Sequence, residues 1–447
     1  MIAQLIFAVM FGTGIFFFSK RVAFIRRNIN MGRDIDLSDR KAERWKTMAR
    51  VAVGQSKMVT RPVAGILHIL VYVGFVIINL EMMEIVIDGF LGTHRIFSSI
   101  GPIYGILIAA FEFLALGVLV ACVVFLLRRN LIGLARFKSK EMGGWPSLDA
   151  NIILVTEILL MFAFLSMNAA DSIAISRELE HYMGMANLEG AFPISQYFVL
   201  LYSGLNDVGL IFAERGFWWF HIAGVLAFLV YIPYSKHFHI LLAFPNTYYS
   251  NLDESGRLDN MAAVKKEVDL MMDPTADPYA TPPPSADGGE PEAPPCFGVK
   301  DGADLTWKQI MESYSCTECG RCTSVCPANL TGKVLSPRKI MMDCRDRMDD
   351  IGENRDSNGG EFKDDGKMLV GDYVSEEEIW ACTSCQACVE ACPININPMG
   401  IILDMRRSLI MEDSKSPDPI TTMFNNIENN GAPWAFPAAS RGDWIRD

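Results

Sequence analysis

The sequence predicts a mainly α protein: a five-helix transmembrane bundle followed by a soluble alpha-helical ferredoxin domain. Two observations carry this expectation. Five apolar segments in the first 245 of 447 residues are each long enough to cross a bilayer, which takes about 20 helical residues. Beyond them, eight of the 11 cysteines fall in two tight runs. Two or three residues between thiols is metal-ligand spacing rather than a disulfide framework. The net charge of −12 is split, with basic loops in the first half and an acidic second half. No basic surface emerges outside the loops that flank apolar segments, so no nucleic-acid partner is expected.

The expected spans lie near 2–20, 62–88, 101–127, 151–172 and 216–243 within a membrane domain of residues 1–245. No charge precedes Lys20 and no small-residue cleavage site follows it, so the first span reads as a retained helix rather than a signal peptide. The stretch after it is basic (Lys20, Arg21, Arg26, Arg27 and on to Arg61), as is the loop with Arg128, Arg129, Arg136, Lys138 and Lys140. The loop at 89–100 has only Arg95, and 173–215 has only Arg177 and Arg215 against five acids. The positive-inside rule then predicts the N-terminus outside and the C-terminus in the cytoplasm, as in a multi-pass protein of the bacterial inner membrane. A reducing cytoplasm suits thiolate-bound clusters.

All six histidines lie in or beside the membrane half: His68, His94, His181, His221, His237 and His239. His221 and His239 are 18 residues apart, which is five turns on one face and about 27 Å of a continuous helix. His68 and His239 both belong to the cytoplasmic ends of their helices, which fits bis-histidine ligation of a b-type haem. Buried acids in membranes often serve proton or quinone chemistry. Glu112 and Glu157 are the deepest by count, with Glu81, Glu84, Asp88 and Asp171 nearer the helix ends.

Residues 246–300 read as a linker: 258–272 as a short amphipathic helix, then a Pro- and acid-rich tether that cannot bury a core. Residues 301–447 form the cluster domain. Its first run is Cys316, Cys319, Cys322 and Cys326 followed by Pro327; its second is Cys382, Cys385, Cys388 and Cys392 followed by Pro393. Both match the bacterial ferredoxin run, in which three cysteines hold one [4Fe–4S] cluster and the fourth reaches the other. That assigns Cys316, Cys319, Cys322 and Cys392 to one cluster and Cys382, Cys385, Cys388 and Cys326 to the second. Zinc sites show paired cysteines instead of runs of four ending in Cys-Pro. Of the remaining cysteines, Cys122 reads as a small core residue, and Cys296 and Cys344 stand alone.

Two resemblances extend this reading. Trp218-Trp219-Phe220-His221 and Pro233 to His239, with the five-helix layout, resemble the nitrate reductase gamma-subunit family. That resemblance implies two b haems, each with one histidine from the second helix and one from the fifth, and electron exchange with quinol. It pairs His68 with His239 for the inner haem and gives His221 to the outer one. The outer haem's second ligand is missing, since Ile78 and Asn79 stand about ten residues after His68, the spacing the family implies. His94 is the first substitute and His181 the second. The widely spaced cysteine runs resemble the heterodisulfide reductase C-type and succinate dehydrogenase-type iron–sulfur subunits. Phe424 to Trp434 resembles the segment that precedes a CCG domain in the first of these groups. The implied partner is a separate CCG-domain, heterodisulfide reductase B-like subunit, with an electron-transferring flavoprotein as a further candidate partner. The expected role is that of an electron-transfer subunit of a quinone-linked membrane oxidoreductase. The competing expectation is a haem-free membrane anchor carrying an iron–sulfur sensor or scaffold.

Overall fold

The computed structural model describes residues 1–179, 182, 188, 190–258, 260–275 and 297–446. Among these residues the chain is helical and forms no β-strand. Five long apolar helices come first: α1 (Ile2–Ile29), α2 (Pro62–Leu91), α3 (Pro102–Asn130), α4 (Trp145–Ser176) and α5 (Asp207–Tyr231). Each is long and apolar enough to cross a membrane, α5 together with the turn that follows it. After them come α6 (His239–Tyr248), α7 (Ala262–Met272), α8 (Trp307–Ser315), α9 (Pro337–Ser357), α10 (Glu376–Ala381), α11 (Ala387–Ala391), α12 (Pro398–Met411) and α13 (Asp418–Asn430).

The helix ends follow from local chemistry. Helices α2, α3 and α4 each carry proline in the first turn, where its missing N–H costs nothing. Gly92 ends α2 in the left-handed region at φ 70°, the usual cap for a residue without Cβ. Asn206 caps α5 by accepting from the Gly209 N–H at 2.8 Å. The bundle interior is closed by buried Phe7, Ile108, Phe164, Leu165, Leu210 and Ile222, while Ile66, Phe75, Leu80 and Phe113 face outward.

Two membrane segments differ from the sequence expectation. Helix α1 does not stop near Lys20 but runs on to Ile29, because its basic end finds partners on the cluster domain. Arg21 pairs with Asp349 at 2.8 Å, and buried Asn28 donates to the Tyr314 hydroxyl at 2.9 Å and the Met348 carbonyl at 3.1 Å. The fifth segment is broken. Helix α5 ends at Tyr231, a tight turn holds Pro233, and Ser235 is extended before α6 starts at His239. His221 and His239 therefore lie on different helices, and the five-turn argument for a shared face does not apply. Proline, which cannot donate to the preceding turn, is the physical reason.

The membrane helices and the cluster domain share one apolar core. Ile25, Phe228, Ile232 and Phe238 pack with Val299, Leu305, Ile310 and Tyr314. Residues 246–250, expected at the start of the linker, are part of this packing. Asn246 is fully buried, donates to the Ile394 carbonyl at 2.7 Å and accepts from Lys308 at 2.8 Å. Helix α7 lies inside the expected 258–272 segment, and most of the Pro-rich stretch, with Cys296, falls outside the described residues. At Gly352 an added Cβ would sit 2.5 Å from Asn28 Oδ1, so only glycine allows α1 this close to α9.

Replacing Asn28 by alanine leaves buried groups of α9 and Tyr314 without their donor. The expected loss is about 1–3 kcal/mol, read as a lower midpoint in thermal unfolding of the detergent-solubilised protein. An unchanged midpoint would show that this contact does not hold the two parts together.

Candidate metal centres

Each cysteine run is wound by left-handed residues at matching positions. In the first run Glu318 has φ 53° and Gly320 φ 68°; in the second Ser384 has φ 54° and Gln386 φ 61°. Such residues curl the backbone around a centre and turn its N–H groups inward. The Ser384 N–H points at Cys382 Sγ at 3.4 Å, and the Ile396 N–H at Cys392 Sγ at 3.3 Å. The fourth cysteine of each run is followed by proline, and Pro327 starts a new helical turn.

The two runs come together crosswise. Cys316, Cys319 and Cys322 line one cavity with Cys392 from the other run, and Met341, Ile394, Ile396 and Pro398 form its apolar wall. Cys326 stands within electrostatic reach of Cys382 and Cys388, which also neighbour Cys385. Burial pushes the Cys316 and Cys388 thiols up to about 12 and Cys392 up to about 11. Thiolates here need a cationic metal centre beside them, so the donor set fits iron. Cys122 and Cys344 are buried, Cys344 in the same core as Cys316, Cys326 and Cys392.

The first run is also tied to the membrane half. Glu318, between Cys316 and Cys319, accepts from Lys236 and from Arg345, the latter at 2.8 Å. Burial opposes the Glu318 charge, but Arg345 and Lys236 outweigh it and hold the carboxyl below its usual range. Arg321, between Cys319 and Cys322, donates to the Lys57 carbonyl at 3.0 Å. Neither tie to the membrane half was legible from spacing, because both link residues more than 80 positions apart.

His68 and His239 meet with ring centroids 6.4 Å apart. An iron about 2 Å from each facing nitrogen separates two ligand rings by roughly 6 Å, so the spacing suits a shared ion. His239 Nδ1 lies 3.0 Å from the Lys236 carbonyl. A carbonyl only accepts, so Nδ1 carries the proton and Nε2 keeps its lone pair. His68 Nδ1 has no hydrogen-bond partner. His237 stands beside the pair, 5.6 Å from His239 and edge-on to it.

The outer histidines are arranged differently. His221 is buried, with Nδ1 3.0 Å from the Leu160 carbonyl, and its ring neighbour is Phe164. His94 does not join it. Arg215 lies 2.9 Å from His94 Nδ1 and can only donate, so the ring proton sits on Nε2, which faces Asp171 at 3.4 Å. His94 Nδ1 is thus taken by Arg215, while Nε2 is buried without a hydrogen-bond partner. His181 lies outside the described residues. His94 belongs to a buried polar network in which Arg95 pairs with Asp171 at 2.7 Å and Tyr104 donates to Glu84 at 2.6 Å. Glu112 accepts from the Ile194 N–H at 2.8 Å. Charge sign in the loops did not reveal this network, since its members come from six separate segments.

Comparison with known proteins agrees with the cysteine geometry. Residues 315–396 match the 4Fe-4S dicluster domain family. The chain is 26% identical to a probable iron-sulfur-binding oxidoreductase, FadF, of Bacillus subtilis, over 98% of this chain and 60% of that protein. It is 24% identical to the EtfAB:quinone oxidoreductase of Syntrophomonas wolfei, over 92% of this chain and 55% of that one. A quarter of the chain (24%) is 31% identical to the C-type subunit of a ferredoxin/F(420)H(2)-dependent CoB-CoM heterodisulfide reductase of Methanosarcina acetivorans, covering 53% of that protein. The chain thus spans less than two thirds of the length of these relatives. No solved structure matches it. A segment similar to dicluster 4Fe-4S domains thus follows five helices long and apolar enough to cross a membrane, in a chain similar to an iron–sulfur oxidoreductase.

Gly320 tests the first loop. Alanine there is strained by the left-handed φ, and its Cβ would lie 2.5 Å from Arg338 Nη1, which is held by the Arg136 carbonyl at 2.7 Å. Gly320→Ala should lower iron from about eight to about four atoms per chain, the content of one cluster fewer, measured by elemental analysis. Full iron content would show that this backbone conformation is not needed.

Proposed function

We propose that this protein passes electrons between a membrane quinone pool and a redox partner in the cytoplasm. Its carriers are a haem b held by His68 and His239 and two [4Fe–4S] clusters. Cys316, Cys319, Cys322 and Cys392 hold the first cluster; Cys382, Cys385, Cys388 and Cys326 hold the second. These groups supply one-electron chemistry. The chain's own residues set their positions, exclude water and balance charge.

One observation carries the reading. Lys236 joins both candidate centres: its carbonyl accepts from His239 Nδ1 at 3.0 Å, and its ammonium donates to Glu318 inside the first cysteine run. A single residue thus spaces the haem ligand from the cluster loop, and tunnelling requires such fixed, short separation. The loop charges support an N-out, C-in placement in a bacterial inner membrane, with the cluster domain in the cytoplasm.

The partner reading rests on the relatives and on α13. One relative's name couples EtfAB to quinone, and another is a C-type subunit of a heterodisulfide reductase. Both favour an electron-transferring flavoprotein or a CCG domain, heterodisulfide reductase B-like, as the cytoplasmic partner. Phe424, Ile427 and Trp434 are exposed on and just after α13 and offer that partner an apolar face.

A pyridine haemochrome assay on the purified protein should show b-type haem. His68→Ala and His239→Ala should each remove the haem of this site while the dithionite-bleachable iron–sulfur absorbance stays. Absence of b-type haem from the native protein would sink the quinone-linked reading and leave a haem-free anchor. Unchanged haem in both variants would show that the ligand pair is wrong.

A further inference from the structure

The cluster-side surface of the membrane helices holds a groove that electron transfer does not use. Its volume is about 510 Å³, and it is lined by Arg61, Arg128 and Arg136 together with apolar Pro62, Val63 and Leu134. Arg61 immediately precedes α2 and Arg128 lies in the last turn of α3, where both helices leave the apolar layer. The groove also touches Ser324, between Cys322 and Cys326.

Basic residues at helix ends are expected from topology alone. That does not account for three guanidiniums lining one groove without a carboxylate. Several other cations on this face are neutralised by acids: Arg21 by Asp349, Arg338 by Glu141 and Lys236 by Glu318. Among the described residues, no ion pair joins Arg61, Arg128 or Arg136 to an acid; Arg61 instead donates to Ser324 Oγ at 2.6 Å. Arg136 Nε is buried without a hydrogen-bond partner, and its guanidinium rests on the Phe137 ring at 4.8 Å. The site therefore gains from an anion.

We propose that this groove binds the phosphate of an anionic phospholipid, its acyl chains running along Pro62, Val63 and Leu134. Guanidinium forks match phosphate oxygens in pairs, and basic pockets between helices at the membrane surface take such headgroups. The apolar wall and the position at the helix ends select a lipid over a soluble phosphate. Through Arg61 and Ser324 the bound lipid also secures the first cysteine run against the membrane. The proposal needs the membrane reading only, not the haem or the quinone.

Native mass spectrometry of the full chain, titrated with phosphatidylglycerol or phosphatidylcholine, tests it. The variant Arg128→Gln/Arg136→Gln keeps the Arg61–Ser324 bond. The wild-type chain should prefer phosphatidylglycerol at least about tenfold, and the variant should lose about fivefold in affinity per arginine removed, with iron content unchanged. Equal binding of the two lipids by the wild-type chain would overturn the proposal, even should the variant not fold. Equal phosphatidylglycerol binding by both proteins would overturn it too. Displacement of the lipid by an equal concentration of inorganic phosphate would assign the groove to free phosphate instead.

Discussion

Everything else in this protein depends on how the cluster domain seats on the ends of the membrane helices. The seat is an apolar core shared by α1, α5 and the cluster domain, crossed by a few buried polar contacts. Apolar burial supplies the adhesion, since it is non-directional and scales with area. The polar contacts supply position. Lys236 and Glu318 have side chains only 9% and 3% exposed, and Arg345 completes the group. Buried ion pairs rarely add much net stability, but removing one partner is costly. A seam of this kind tolerates a single register, and a redox chain needs fixed separations between its centres.

The long insert between the cysteine runs acquires its meaning from that seam. It is far longer than a minimal ferredoxin requires, and α9 within it forms the wall on which α1 docks. Asn28 reaches its Met348 carbonyl, and Gly352 removes the side chain that would hold α1 away. Arg347, fully buried on the same helix, pairs with Asp301 at 2.7 Å and Asp365 at 2.6 Å. These pairs fasten the start of the domain and the acidic loop after α9 to one helix. The insert is a docking element rather than a spacer.

At the opposite end of the bundle the chain gathers buried acids around two arginines. Glu84, Glu112, Asp171 and Glu214 are all buried, and Arg95 and Arg215 bond to the last two. Hydrogen bonds from Tyr104, Asn168, Ser195 and backbone N–H groups satisfy much of the rest. Together these groups form an enclosed polar network. His94 is part of it, through Arg215 and Asp171.

The local chemistry was legible in the sequence: the five apolar segments, the two cysteine runs and the rarity of histidine. Each depends on near neighbours in the chain or on composition, which a linear pattern records. His68 and His239 lie close, with ring centroids 6.4 Å apart, which their place near the ends of neighbouring elements allows. What only the tertiary structure decided were the long-range pairings: Lys236 with Glu318, Asn28 with Tyr314, His94 with Arg215. The break after Tyr231 was missed although Pro233 was visible, because periodicity assumes an unbroken helix and cannot show where a chain bends to reach a partner. Spacing records which residues can act together on one element, whereas packing between elements decides which of them actually meet.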